Sequence, residues 1–451
     1  MKLFDYQQER LERTKDLNRV AYYWDMGTGK TFVGAEKMHR LGNRVNLILC
    51  QKSKVNDWYN HLMKYYFDDH LIFDLTTKRG YDTFFDSINN QYDITVTGII
   101  NYELAFRREE LLDLSDFTLM LDESSMIQNE AAKRSKFALK LGDNASAVIL
   151  LSGTPTSGKY ENLWSQLHLL GWNISKKMYW NQYVEVKYLE NISRHSIPIV
   201  TGYKNVDRLK RKMRSYGCDF LRTDEVVDLP DQVFNDVYMF APKEYRKFVD
   251  HGIVTVDGDE LVGDTSLTNM LYQRELCSQY NKNRADALKD LFESTNDTFV
   301  VFYNFNAELD QIKKIAYDCG REVGVVNGQD KSGIELSKGW NSNGIDGNYS
   351  LNHNFRCTPI IAIQYQAGAM GLNLQDFSRR LIYFSLPLSS ELFEQSKKRI
   401  HRVGTKNTCF YYVLLCVNSV EEKIYKTLKK RRDYTLKLFE RGEEHDEETN
   451  S

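Results

Sequence analysis

Short apolar runs alternate along this chain with stretches in which apolar residues recur at helical spacing. Val45–Cys50, Ile94–Thr97, Phe117–Leu121 and Ala147–Leu151 each read as a buried strand followed within a few residues by a polar, loop-like segment. Strands and helical patterns in alternation predict a parallel α/β sheet. The pattern stops near Leu170 and resumes with Phe299–Tyr303, Glu322–Val326, Ile360–Ile363, Leu381–Phe384 and Phe410–Leu415. The expected fold class is therefore α/β, with two parallel-sheet lobes. Between them, Gly171 to Phe292 reads as mainly helical, with Val206, Leu209, Met213 and Tyr216 on one helix face. After the last strand, Val420, Ile424 and Leu428 recur at a spacing that predicts an amphipathic helix packed across a lobe. The expected division is a first lobe over 1–170, a helical insertion and linker over 171–228, a helical insertion opening the second lobe over 229–292, the second lobe over 293–418, and a bracing helix with an acidic tail over 419–451.

With 451 residues, 42% hydrophobic and 27% charged, the chain has room for more than one large core. Seven cysteines (Cys50, Cys218, Cys277, Cys319, Cys357, Cys409 and Cys416) are scattered without a Cys-x-x-Cys pair. That argues against a zinc site and a disulfide framework, and fits a reducing cytoplasm. No run approaches the ~20 apolar residues of a membrane span, and Met1 to Arg10 is too polar for a signal peptide. A formal net charge of −2 lacks the basic footprint usual in nucleic-acid binders. Charge is concentrated locally: Arg208, Lys210, Arg211, Lys212 and Arg214 form one basic cluster, Lys429 to Arg432 another, and Glu443 to Glu448 an acidic end. The first cluster reads either as a solvated helix face, with its basic residues pointing away from the apolar stripe, or as part of a nucleic-acid path.

Chemistry enters at three places. Gly27-Thr28-Gly29-Lys30-Thr31 follows the apolar run Val20–Trp24 and precedes a helical pattern, the setting of a phosphate-binding loop for ATP. Glycines let backbone N–H groups face phosphates at a helix N-terminus, Lys30 reaches the β- and γ-phosphates, and the Thr31 hydroxyl can ligate Mg2+. The fuller form of that pattern begins with a glycine where this chain has Trp24. Asp122-Glu123 directly follows Phe117–Leu121, at a strand's C-terminal edge, where α/β folds place ligand groups. There Asp122 would hold Mg2+ and Glu123 would orient and deprotonate an attacking water. Ser152-Gly153-Thr154-Pro155 follows Ala147–Leu151 as a third element. The three occur in the order that helicase-like ATPases use.

The chain resembles the SWI/SNF-type branch of helicase superfamily two, in the form of a compact bacterial or phage-like member, over nearly its whole length. Leu3-Phe4-Asp5-Tyr6-Gln7 is similar to the family's adenine-recognising entry segment, Trp24 to Thr31 to its phosphate loop, and Gln51-Lys52-Ser53 with Trp58 to its next strand end. Leu221 to Glu225 with Leu229-Pro230 resembles the linker between lobes, Phe302 to Phe305 an early second-lobe segment, and Ala367 to Leu374 and Gln395 to Gly404 two segments typical of this branch. The resemblance implies two RecA-like P-loop lobes. It adds Gln7 and Gly371 to the nucleotide-binding set and gives Gln395, Arg399 and Arg402 catalytic roles, the arginines projecting toward the γ-phosphate. Their spacing would put both guanidiniums on one helix face. It implies DNA contacts at Lys52, Ser53, Asn101, Tyr102 and Asn304, with double-stranded DNA as the partner and a further protein that supplies targeting or a nuclease. Three departures stand out: Ser124-Ser125 where the family has a final histidine, Asn304 for a glutamine, and Ala369 for a glycine. The expected activity is a DNA-stimulated ATPase that tracks along duplex DNA. A strand-separating DNA or RNA helicase and a slow nucleotide-gated clamp share the same ATPase elements. Trp164, Trp172, Tyr179, Trp180 and Tyr183 read as helical core in preference to a base-stacking platform.

Overall fold

A computed structural model describes residues 2–90, 94–190, 196–341, 344–345, 357–367 and 372–439. The chain divides into two compact units, Met1–Val226 with Asp433–Ser451, and Val227–Arg432.

The first unit is built on seven parallel strands: β1 Arg19–Trp24, β2 Val45–Cys50, β3 His70–Asp74, β4 Thr95–Asn101, β5 Phe117–Asp122, β6 Ala147–Ser152 and, after the antiparallel hairpin of β7 Val184–Glu190 and β8 Ser196–Tyr203, β9 Cys218–Leu221. Their order is β3-β4-β2-β5-β6-β1-β9. Both faces are covered, as all-parallel sheets require. In β2, Leu47 and Leu49 enter the core on one face, Ile48 and Cys50 the core on the other. The order places β1, β5 and β6 side by side, so the three segments singled out for chemistry leave the sheet at neighbouring C-terminal ends.

The second unit repeats the plan with β10 Gln232–Phe240, β13 Phe299–Tyr303, β14 Arg321–Val326, β17 Cys357–Gln364, β18 Arg380–Tyr383 and β19 Cys409–Val417, in the order β10-β19-β18-β13-β17-β14 and again parallel. Two small antiparallel pairs accompany it: β11 Ile253–Val256 with β12 Asp259–Val262, and β15 Trp340–Asn341 with β16 Gly344–Ile345. Val300 and Phe302 face one core, Val301 and Tyr303 the other. The fold is thus α/β, with one large parallel sheet in each unit.

The stretch from Gly171 to Phe292 is not mainly helical. It contains β7 to β12, and β10 pairs with β19 from Gln232 opposite Cys409 to Phe240 opposite Val417. Val184, Val186 and Tyr188 alternate as a strand does, whereas Val206 to Tyr216 carries the stronger, helical periodicity. In that helix, Val206–Ser215, Leu209 and Met213 are buried as expected. Lys210 departs from the solvated face: it is buried, with Asp207 at 3.6 Å. Trp172, Tyr179 and Tyr183 are core residues, as the apolar reading of that stretch holds. Among the described residues no helix is long and apolar enough to cross a membrane, and six cysteines are free thiols.

Candidate active site

The chain between β1 and the helix Lys30–Leu41 carries the candidate phosphate loop. Gly27 and Gly29 stand at φ 89° and 82°, a left-handed conformation that other side chains resist. A Cβ at Gly29 would come within 2.2 Å of Gln7 Nε2. Thr28 Oγ1 braces the loop by donating to Asp25 O at 2.7 Å. The first N–H groups of the helix have no intrahelical acceptor, which makes this end a natural phosphate cradle. Lys30 Nζ donates to the carbonyls of Trp24 at 2.8 Å and Asp25 at 3.2 Å. Trp24 replaces a glycine without blocking the loop because its indole is buried in the core and fastened to β9, with Nε1 donating to Asp219 Oδ2 at 2.7 Å. Gln7 is buried, its Oε1 accepting from Phe4 N and its Nε2 donating to Thr28 O, both at 3.0 Å. Its amide is thus engaged in bracing the loop.

At the end of β5, Asp122 Oδ2 accepts from Trp58 Nε1 at 2.8 Å and Oδ1 from Glu123 N at 3.1 Å. Burial raises the Asp122 pKa above the ordinary carboxylate value, and the Trp58 hydrogen bond and the Lys30 and Lys54 charges offset this only in part. Glu123 has φ 51°, a left-handed conformation rare outside glycine and held only where neighbours enforce it. Its Oε2 accepts from Ser152 Oγ, at the end of β6, at 3.4 Å, and Ser152 Oγ accepts from Thr154 N at 3.1 Å. A Cβ at Gly153 would lie 3.4 Å from Lys30 Nζ. Phosphate loop, acid pair and Ser152 turn therefore converge.

The structure adds Gln166, a residue outside the sequence-derived set. It lies on the short helix Trp164–Leu169, fully buried. Its Oε1 accepts from Ser124 Oγ at 2.7 Å and from Tyr23 OH at 3.0 Å, and its Nε2 donates to Pro155 O at 2.7 Å. In the sequence Gln166 is one of three polar residues, with Ser165 and His168, among the apolar residues of Leu163 to Leu169, and nothing there singles it out.

Residues 14–281, more than half of the chain, match the family model of the SNF2-related domain. The chain belongs to the SNF2-related family. A Caenorhabditis elegans protein named SWI/SNF-related matrix-associated actin-dependent regulator of chromatin subfamily A-like protein 1 homolog is 22% identical over 96% of this chain and 61% of its own length. The chain thus spans about three-fifths of that relative. An uncharacterised ATP-dependent helicase of Bacillus subtilis is 23% identical over 92% of this chain and 75% of its own. Among solved structures, the Sulfolobus solfataricus SWI2/SNF2 ATPase core in complex with dsDNA is 18% identical, with a TM-score of 0.43 over 96% of this chain and 92% of that one.

In the second unit of this SNF2-related chain, Gln395 lies on the helix Ser390–Lys397 and donates to Glu391 Oε1 at 3.3 Å. Arg399 and Arg402 do not share a helix face. The helix ends at Lys397, whose carbonyl accepts from Tyr411 OH at 3.0 Å, while Arg399 O accepts from Leu374 N at 2.9 Å. These partners replace the hydrogen bonds a continuing helix would make. Arg399 is buried, with Nη1 at 3.5 Å from Leu372 O. Arg402 is half-buried and donates to Asn373 Oδ1, and burial lowers its pKa. His401 Nε2 lies 2.7 Å from Pro230 O, an acceptor only, so Nδ1 is left to accept from Gln232 Nε2. Gly371 lies outside the described residues.

The SNF2-related resemblance proposed five nucleic-acid contacts, and the structure separates them. Lys52 and Ser53 are exposed immediately beyond β2. Tyr102 is a core residue, 1% exposed, whose hydroxyl donates to Asp122 O at 2.9 Å, which leaves it no surface for DNA. Asn101 is also buried, its amide donating to Glu103. Asn304 spends its amide on Ser385 Oγ at 2.7 Å and Leu386 O at 3.1 Å. Turn positions at the ends of buried strands face inward in these three cases.

Proposed function

We propose that this chain is an ATP hydrolase stimulated by DNA, and that it uses the cycle to track along double-stranded DNA. The observation that carries the reading is the convergence of Lys30, Asp122-Glu123 and the Ser152 turn at the ends of adjacent parallel strands, in a chain of the SNF2-related family. Lys30 would exchange its two backbone carbonyls for the phosphate oxygens, a stronger, charge-paired acceptor. Glu123 would hold the attacking water and take its proton. Magnesium, when bound, neutralises phosphate charge, and Asp122 with the Thr31 hydroxyl would hold it. The raised pKa of Asp122 fits such a role, because a divalent cation restores the charged form that burial disfavours. Arg402 would supply a guanidinium to the γ-phosphoryl group as charge spreads over its oxygens. Lys52 and Ser53 would meet backbone phosphates, which a motor indifferent to sequence must grip.

The test is the ATPase rate with duplex DNA, single-stranded DNA and RNA at stated salt. Stimulation by duplex DNA above the other two is expected. Equal stimulation by RNA would favour a strand-separating helicase, and turnover unchanged by any nucleic acid would overturn the motor reading.

A further inference from the structure

Gln166 touches none of the groups assigned to phosphate or metal, yet three segments of the candidate site end on its amide. Pro155 O can only accept, so the amide nitrogen must face it. The amide oxygen then faces the hydroxyls of Ser124 and Tyr23 and must accept from both. Chemistry alone settles the orientation of this buried side chain. Ser124 directly follows Glu123, whose left-handed backbone persists only while its neighbours hold it. Pro155 belongs to the turn whose Ser152 meets the Glu123 carboxylate. The acid pair is followed by Ser124-Ser125, side chains much shorter than an imidazole, and a further tie between acid pair and turn comes from a third element.

We propose that Gln166 is a positioning residue for hydrolysis: it ties Ser124 to the Pro155 carbonyl, and so aims Glu123 and couples it to the turn after β6. The inference rests on the hydrolase reading above. It assigns Tyr23 a lesser part, since that hydroxyl approaches from β1 and bridges neither segment.

The experiment uses the full chain, saturating duplex DNA, and five variants: Gln166→Met, Ser124→Ala, the double variant of these two, Gln166→Glu and Tyr23→Phe. Nucleotide affinity, kcat and Tm are measured for each. Gln166→Met and Ser124→Ala should each lower DNA-stimulated kcat by about 10- to 100-fold, the scale of a slightly misplaced catalytic group. ATP affinity should stay within about two-fold of wild type, because the lost interaction serves only the transition state. Their effects should not add in the double variant. Tyr23→Phe should stay within a few-fold of wild type. Gln166→Glu supplies a pH signature that a filler of space would not. As a neutral acid it donates to Pro155 O as the amide does; as a carboxylate it cannot. Its kcat, relative to wild type, should therefore fall as pH rises, with a midpoint above the ordinary carboxyl value of about 4.3 because burial disfavours the anion. If Gln166→Met is too unstable to assay, Ser124→Ala and the pH profile of Gln166→Glu decide. Wild-type kcat in Ser124→Ala, or a Gln166→Glu profile that parallels wild type, would overturn the proposal. A wild-type chain that fails to hydrolyse ATP would instead remove the hydrolase reading, and this inference with it.

Discussion

On the proposed hydrolase function, Lys30 would serve binding and Glu123 chemistry. Lys30→Ala should abolish hydrolysis, since no other cation of the phosphate loop replaces it. Glu123→Gln keeps the shape and the Ser152 contact but cannot take a proton, so ATP binding should survive while the chemical step falls by about 10²- to 10⁴-fold. Nucleotide titration and single-turnover hydrolysis separate the two outcomes, and wild-type turnover in either variant would remove that residue from its role. Of the two arginines, Arg399 is 2% exposed and already directed at a backbone carbonyl, whereas Arg402 is half-buried and holds a side-chain amide that can move. Arg402→Ala should leave nucleotide affinity nearly intact and lower DNA-stimulated hydrolysis by roughly 10³- to 10⁵-fold. Arg402→Lys should rescue poorly, because the ammonium lacks the planar fork. Single-turnover rates within a few-fold of wild type in Arg402→Ala would transfer the role to Arg399.

Between elements, buried charge and buried histidine make testable demands. Arg284 of the helix Lys282–Glu293 is fully buried and pairs with Glu421 of the helix Val420–Phe439, while its other N–H groups reach Cys277 O at 2.9 Å, Phe384 O and Leu414 O. Glu421→Gln leaves that guanidinium without its counter-charge, and about 3–5 kcal/mol of stability should be lost, read as a lower denaturation midpoint. In the first unit, His70 of β3 is buried beside His39 at 3.2 Å and Thr97 at 3.0 Å. Burial chiefly, then the His39 charge, pulls its pKa down to about 4. A histidine lowered in the folded state contributes stability that is complete above its unfolded value of about 6.5 and is lost as pH falls toward 4. Chemical denaturation from pH 7 to 4 should show this slope, and His70→Gln should flatten it; an equal slope in the variant would assign it elsewhere. The same contrast explains what was legible beforehand. Val45–Cys50 and Phe299–Tyr303 fall where the apolar pattern puts them, because strands buried on both faces read as near-continuous apolar runs. β10 is less legible because most of its residues are half-buried or exposed and Asn235-Asp236 interrupts its apolar residues. Lys30, Asp122 and Glu123 were legible because their chemistry is local. Gln166 was not, since its partners come from three separate segments.

For the molecule as a whole, a net charge of −2 means that, on the proposed function, attraction to DNA would arise from local contacts such as Lys52. Each phosphate neutralised releases counterions, so duplex affinity should fall linearly on a log–log plot against salt, with a slope of roughly −0.9 per contact. Affinity that ignores salt would contradict a phosphate-gripping motor. A last consequence concerns the birth of the protein. β1, which leads into the phosphate loop, lies between β6 and β9, and the indole of Trp24 finds its partner 195 residues later in the chain, at Asp219. At about 5–20 residues per second of translation, on the order of ten to forty seconds pass before that partner exists. During this interval one edge of β1 is unpaired, and parallel pairings over such separations form slowly. Ribosome-bound chains that end before Cys218 should be cut by protease around Gly27, and chains extended well past Leu221 should resist. The nascent chain would then be unable to spend ATP until the first lobe is complete.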